Sequence, residues 1–241
     1  MEGQEESLLT GYPEMISYGC TKKILNQMEK YICKIKIDKI KKDKIETEYG
    51  TGFFCKIPFP DEKNILPVFV TNNHVIEEEY LYKNNETIEI YFEEDNKTKI
   101  LNLNNRKKYT NKEYDVTIIE IIEEDQINNY LELDDIIIDD ILGGDDKINK
   151  YKDKTLYIIQ YPKGDLSVSY GILQSISVDK NYKFNHKCCT EVGSSGSPIL
   201  NLNNKVMGVH HRGYSNKFNE GTFLNYPIKE FIEINYNKNI E

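Results

Sequence analysis

Alanine is absent from all 241 residues, while Ile, Asn, Lys, Asp and Glu abound. That skew reads as nucleotide bias of the source genome and says nothing of function. Basic residues are also in deficit: 31 Lys and Arg against 40 Asp and Glu leave a formal charge of −9. Nucleic acids and anionic membranes call for clustered cations, so neither is an expected partner. No apolar run approaches the roughly 20 residues needed to span a bilayer. Met1 to Glu6 are acidic with no apolar core behind them, which predicts no signal peptide. The five cysteines, at 20, 33, 55, 188 and 189, are odd in number and match neither metal-site nor disulfide-framework spacing. A reducing, cytoplasmic compartment is therefore expected, with no metal and no cofactor. Asn85-Glu86-Thr87 and Asn96-Lys97-Thr98 fit the glycosylation pattern, by chance in so Asn-rich a chain.

What is present is a globular composition, 39% hydrophobic with abundant Tyr and Phe. The length suits one substantial core or two small ones. Residues 1–20 read as a loose leader. Thr21 to Lys30 has the spacing of a short helix, with Ile24, Leu25 and Met28 on one side. Alternation from Tyr31 to Ile37 predicts a half-buried strand, and Asp38 to Tyr49 a charged hairpin or loop. Strands are predicted at 51–57, 66–71, 88–92, 99–103 and 116–121, making six with the first. The acidic stretch 123–154 reads as a connection, with Ile136 to Ile141 as a further candidate strand. A second set follows at 156–161, 167–177, up to 187–190, 198–200, 206–211 and 222–226, and Pro227 opens a helix. No internal repeat appears, and no further domain is expected after Glu241.

Three short motifs carry chemistry. Gly193-Ser194-Ser195-Gly196-Ser197-Pro198 puts a serine in a glycine-flanked tight turn. Thr71-Asn72-Asn73-His74-Val75 ends an apolar strand on a histidine, and Asp115 opens the aliphatic run Val116 to Ile119. A serine hydroxyl is a weak nucleophile at neutral pH. It needs a base, a group that orients the base, and backbone donors for the oxyanion. Taken singly, each residue has an ordinary reading as a core histidine, a turn aspartate or a linker serine. Their joint occurrence in strand contexts, in the order His, Asp, Ser, favours a catalytic set. An α/β-hydrolase esterase runs Ser first and has glycine where Ser197 stands, which speaks against that class.

From Tyr31 to Ile228 the chain resembles the chymotrypsin-fold serine peptidases, closest in motif style to glutamyl endopeptidases and picornaviral chymotrypsin-like proteases. Gly50-Thr51-Gly52-Phe53-Phe54, Leu66 to Val75, Asp115 to Ile119, Gly193 to Pro198 and Val206 to His210 are similar to successive motifs of that family. The resemblance implies an all-β fold of two packed six-stranded antiparallel β-barrels with a short C-terminal helix. The peptidase domain would span residues 21–235, with barrels at about 31–125 and about 150–226. It implies a serine endopeptidase acting on a protein or peptide substrate, its oligomeric state left open. His74 would be the base, Asp115 its orienter and Ser195 the nucleophile, with the Gly193 and Ser195 amides as the oxyanion hole. Ser194 stands where trypsins carry an aspartate that pairs with a newly cut N-terminus, so no activation of that type is expected. Cys189 stands where trypsins place the aspartate that holds Lys or Arg. Thr190 and His210 resemble the residues with which glutamyl endopeptidases and picornaviral proteases hold Glu or Gln. Gly213 would leave room for substrate backbone. The alternative is an inactive protease-fold module that holds peptides in its cleft. His186 has no motif around it and receives no role.

Overall fold

The computed structural model describes residues 9–41, 44–82, 87–93, 97–214 and 217–237. Helix α1 (Tyr18–Lys30) opens at Ser17, whose hydroxyl accepts the Cys20 N–H at 3.2 Å, and so starts three residues earlier than its apolar spacing suggests. Strand β1 (Ile32–Lys41) pairs antiparallel with the long β2 (Lys44–Pro58). At Phe53, β2 changes partner from β1 to β3 (Ile65–Thr71) and thereby turns a corner in the sheet. The one-turn helix α2 (Glu78–Leu81) leads to β4 (Thr87–Phe92), β5 (Lys97–Asn102), β6 (Lys108–Asn111) and β7 (Val116–Glu120). The sheet order is β5-β4-β1-β2-β3-β7-β6, with the two-residue β8 (Leu131–Glu132) added in parallel on β2.

The stretch read as a candidate strand, Ile136 to Ile141, is instead helix α3 (Asp135–Ile141). Asp134 caps it, its carboxylate accepting the Ile136 N–H at 3.0 Å. That local bond favours helix start over strand. After it come β9 (Thr155–Gln160), β10 (Ser167–Ile176), β11 (Lys183–His186), β12 (Pro198–Asn201), β13 (Val206–Tyr214) and β14 (Phe218–Phe223). These six close into a barrel in the order β10-β11-β14-β13-β12-β9. Of the two closed six-stranded barrels expected, the second is therefore present. Among the described residues the first half is a curved sheet that does not close through its end strands β5 and β6. Helix α4 (Asn225–Asn237) ends the fold and begins two residues before Pro227. Glu230 ties it to the first sheet by accepting from the Tyr109, Asn111 and Tyr114 side chains at 2.8, 3.1 and 2.9 Å.

Two apolar clusters hold the halves. Cys33, Ile35, Phe54, Phe69, Ile90 and Ile119 fill the first sheet. A larger cluster runs from Phe53, Val70 and Ile118 through Tyr157, Ile159, Phe184 and Phe223 to Phe231. Strand β7 serves both: successive side chains point to opposite faces, so Ile118 packs toward the second barrel and Ile119 into the first core. Each fully buried side chain of this size contributes about 1.5–3 kcal/mol. The loops that precede β7 and β12 meet the opposite half at one seam: Asp115 lies against His211, and the Ser195 carbonyl accepts the Thr51 N–H. Among the described residues no helix is long and apolar enough to cross a membrane.

Candidate active site

His74 follows the buried end of β3 in a turn that Asn72 makes. The Asn72 carbonyl accepts the Val75 and Ile76 amides at 3.2 and 3.1 Å, and Val75 and Ile76 are buried beneath it. The Asn72 side chain donates to the Asp115 carbonyl at 2.8 Å, and Asn73 donates to Thr110 Oγ1 at 2.7 Å. Thr117 Oγ1 closes the frame by donating to the Ile76 carbonyl at 2.9 Å. The histidine turn is thus bolted to β6 and β7 by side-chain hydrogen bonds on both sides.

Asp115 precedes β7 with φ at +54°, in the left-handed region that Asp tolerates better than most residues. The twist turns its carboxylate, 7% exposed, under the imidazole. Oδ1 accepts the His74 backbone N–H at 2.9 Å, and Oδ2 lies 2.7 Å from His74 Nδ1. A carboxylate is acceptor-only, so Nδ1 carries the proton and Nε2 of the neutral ring is left as a base.

Ser195 lies between two glycines with positive φ, Gly193 at +98° and Gly196 at +88°. A Cβ on Gly196 would sit 2.1 Å from the Thr51 carbonyl oxygen, and one on Gly193 2.4 Å from that of Tyr161. Both turns therefore demand glycine by φ and by space. The Ser195 carbonyl accepts the Thr51 N–H at 2.8 Å, which moors the turn to β2 of the other half. His74, Val75, Gly193 and Ser195 line one cleft of about 840 Å³, shared with Lys34, Tyr49, Lys163 and Val192. Three of the expected site residues, His74, Gly193 and Ser195, thus open onto a common space, with Asp115 directly behind His74.

The expected specificity residues are distributed differently. His210 is 3% exposed and anchors the nucleophile turn through its backbone: Gly196 N–H donates to its carbonyl at 3.1 Å, and its own N–H to the Ser197 carbonyl at 2.8 Å. Thr190 is half-buried just past Cys189, whose carbonyl accepts from Gln160 at 3.0 Å. Gly213 is exposed on β13, opposite Asn219 of β14.

Two histidines without a sequence signal pack behind these residues, and one of them, His211, reaches Asp115. His186 Nε2 lies 3.3 Å from His210 Nδ1, in the interior of the second barrel. Burial pushes His186 down to about 3, with the Glu220 backbone pulling weakly the other way. His210 is also held well below the usual histidine range, by burial first and then by His186 and His211 beside it. Both rings are neutral at pH 7, so a charged His210 is not the resting state. His211 turns the opposite way and sets Nε2 3.1 Å from Asp115 Oδ2. Consecutive strand residues point to opposite faces, and a register shift against β14 between His210 and Arg212 re-aims this pair. Burial lowers the His211 pKa, opposed by Asp115. Among the described residues no group of three or more His, Cys, Asp or Glu side chains is placed to hold a metal ion.

Comparison with known proteins agrees with this architecture. A family model described as a trypsin-like peptidase domain matches residues 50–209. A glutamyl endopeptidase of Staphylococcus epidermidis is 40% identical over 43 residues, 18% of this chain and 15% of that protein. One of Staphylococcus aureus (strain MW2) is 41% identical over 46 residues, 19% of this chain and 14% of its own. These matches span only a small part of either relative's length. Among solved structures, the HtrA-type protease AlgW with a tripeptide superposes with a TM-score of 0.60 at 14% identity, over 88% of this chain and 62% of that one. The serine endoprotease from Yersinia pestis gives 0.59 at 13% identity, over 91% and 68%. Identities so low speak for the fold alone, and the family model covers most of the chain, from Gly50 to Val209. The chain belongs to the trypsin-like peptidase family.

Proposed function

We propose that this protein is a serine endopeptidase that cuts after Glu or Gln. The observation that carries the reading is the 2.7 Å contact of His74 Nδ1 with Asp115 Oδ2, on the wall of the cleft that Ser195 and Gly193 also line. Ser195 Oγ attacks the scissile carbonyl carbon and its proton passes to His74 Nε2. Asp115 holds the ring in the productive tautomer and stabilises the imidazolium. The Gly193 and Ser195 amides receive the oxyanion. The tetrahedral adduct collapses as the amine takes the proton from His74. Water then attacks the acyl-enzyme, with His74 again as base, and releases the acid and free Ser195.

For the residue before the cut, Thr190 and neutral His210 offer hydrogen-bond partners without fixed charge, and Gly213 offers backbone to pair as a strand. Such a pocket suits a Gln amide, or a Glu that shares a proton, and gives Lys or Arg no counter-charge. The short matches to glutamyl endopeptidases support the same preference. Labelling with a fluorophosphonate tests the chemistry. Covalent modification of Ser195, lost in His74→Ala, is expected; a protein that binds peptides but is never labelled would be a binding module.

A further inference from the structure

Oxyanion donors are backbone amides, and their aim is set by the peptide planes beside them. Gly193 has no Cβ to narrow its torsions, so its orientation must come from the partners of neighbouring carbonyls. Ser194 N–H donates to the Glu191 carbonyl at 3.0 Å, closing a turn whose third residue is Gly193 with positive φ, the mark of type II. The Val192 carbonyl accepts the Lys163 N–H at 2.7 Å. In a trans peptide the C=O and N–H point in opposite directions, so that bond turns the Gly193 N–H away from Lys163. On the other side of Gly193, its own carbonyl accepts from Thr51 Oγ1 at 2.8 Å.

Thr51 is fully buried, and every polar atom it carries is engaged. Its hydroxyl receives the Tyr161 N–H at 3.1 Å, so the hydroxyl proton is committed to Gly193. Its N–H holds the Ser195 carbonyl at 2.8 Å, and its carbonyl accepts from Thr71 Oγ1 at 2.8 Å, at the end of the strand that leads to His74. One residue on β2 therefore touches both residues that would supply the oxyanion donors, Gly193 through its hydroxyl and Ser195 through its backbone N–H, and it does so across the seam between the halves.

We infer that Thr51 is a positioning residue for the oxyanion hole: its hydroxyl, with the Lys163 amide, locks the two peptide planes of Gly193. The inference rests on the peptidase reading and adds to it the device that holds the donors in place. With a neutral, buried Ser194 before the nucleophile, the turn is held by the Thr51 bonds across the seam, by the Lys163 amide and by the Ser194 hydroxyl, which accepts the Glu191 N–H at 3.1 Å. Thr51→Val keeps the shape and removes the hydroxyl, leaving the Gly193 carbonyl and Tyr161 N–H without their partner. Thr51→Ser keeps the hydroxyl and removes only a methyl.

The test compares wild type, Thr51→Val and Thr51→Ser in peptide hydrolysis, in fluorophosphonate labelling, and in hydrogen exchange of the 191–197 backbone. Thr51→Val should lose roughly 10- to 100-fold in kcat with KM within about twofold, less than the 10²–10³ seen when a donor is removed outright. It should exchange faster across 191–197, and Thr51→Ser should recover most of both. Thr51→Ala serves in its place if the valine variant does not fold. Full kcat in Thr51→Val, a loss confined to KM, or a serine variant as impaired as the valine one overturns the inference. A wild-type protein that is never labelled overturns the peptidase reading instead, and exchange of the turn, read without any activity, still decides whether the hydroxyl holds it.

Discussion

His211 Nε2 stands 3.1 Å from Asp115 Oδ2, the same oxygen that His74 Nδ1 approaches at 2.7 Å. Asp115 is thus gripped from both halves of the fold, by the histidine turn of the first sheet and by β13 of the second barrel. Neutral His211 donates to it. Hydrogen bonds to a charged group contribute about 1.5–3 kcal/mol, so His211→Leu should lower kcat roughly 10- to 100-fold. His211→Gln, which keeps an N–H at similar reach, should lose little. Steady-state kinetics of the two variants decide it; equal losses in both would reduce His211 to packing.

The buried pair His186 and His210 predicts how stability depends on pH. Both are neutral when folded, His186 with its pKa at about 3 and His210 held well below normal, whereas unfolded histidine titrates near 6.5. Below about pH 6.5 the unfolded chain binds protons that the folded one refuses, so stability falls with pH until the folded groups titrate. The slope is about 1.4 kcal/mol per pH unit for each such histidine. Urea unfolding at pH 7 and pH 4.5 should show this loss, smaller in His186→Gln. An unchanged slope in that variant would mean that His186 is not buried neutral.

Much of the site was legible because each of its parts is local. His74, Asp115 and Ser195 each occupy the end of their own strand or turn, and a few neighbouring residues mark each one as a candidate. The missed histidines depend on tertiary arrangement. His186 meets His210 across β14, and His211 meets Asp115 across the seam, partners far apart in the chain that no local pattern names. The fold divides in the same way. Strands with clear alternation, such as β4, were readable, whereas β6 is four mostly polar residues and β8 is two. Ile136 to Ile141 looked like a strand from its isoleucines, yet the Asp134 cap makes it a helix that buries Ile137.

Specificity gives a third expectation. His210→Ala should depress cleavage after Glu or Gln far more than acylation by a small ester, since discrimination built on a hydrogen-bond requirement reaches about 10⁴. With His210 neutral, the preference for Gln, taken as the ratio of Gln-peptide cleavage to acylation by the small ester, should hold steady across neutral pH. A peptide-library profile dominated by basic, aromatic or aliphatic residues before the cut would leave His210 as a barrel-core residue only.

Asp115→Asn should place an amide N–H against His74 Nδ1 and favour the wrong tautomer. Turnover should fall roughly 10⁴-fold, as expected when an imidazole presents N–H and not a lone pair to the nucleophile. The fold should survive, because the Asn72 bond to the residue 115 carbonyl remains. Turnover and far-UV circular dichroism of the purified variant check both halves of this expectation.

The central claim is that Ser195 and His74 act as one catalytic unit across the seam. Turnover of a Glu- or Gln-containing peptide by wild type, Ser195→Ala, His74→Ala and the double variant measures it most directly. Each single replacement should cost roughly 10⁴- to 10⁶-fold, and the double should cost no more than the worse single. A Ser195→Ala protein that cleaves at near the parental rate would contradict the account.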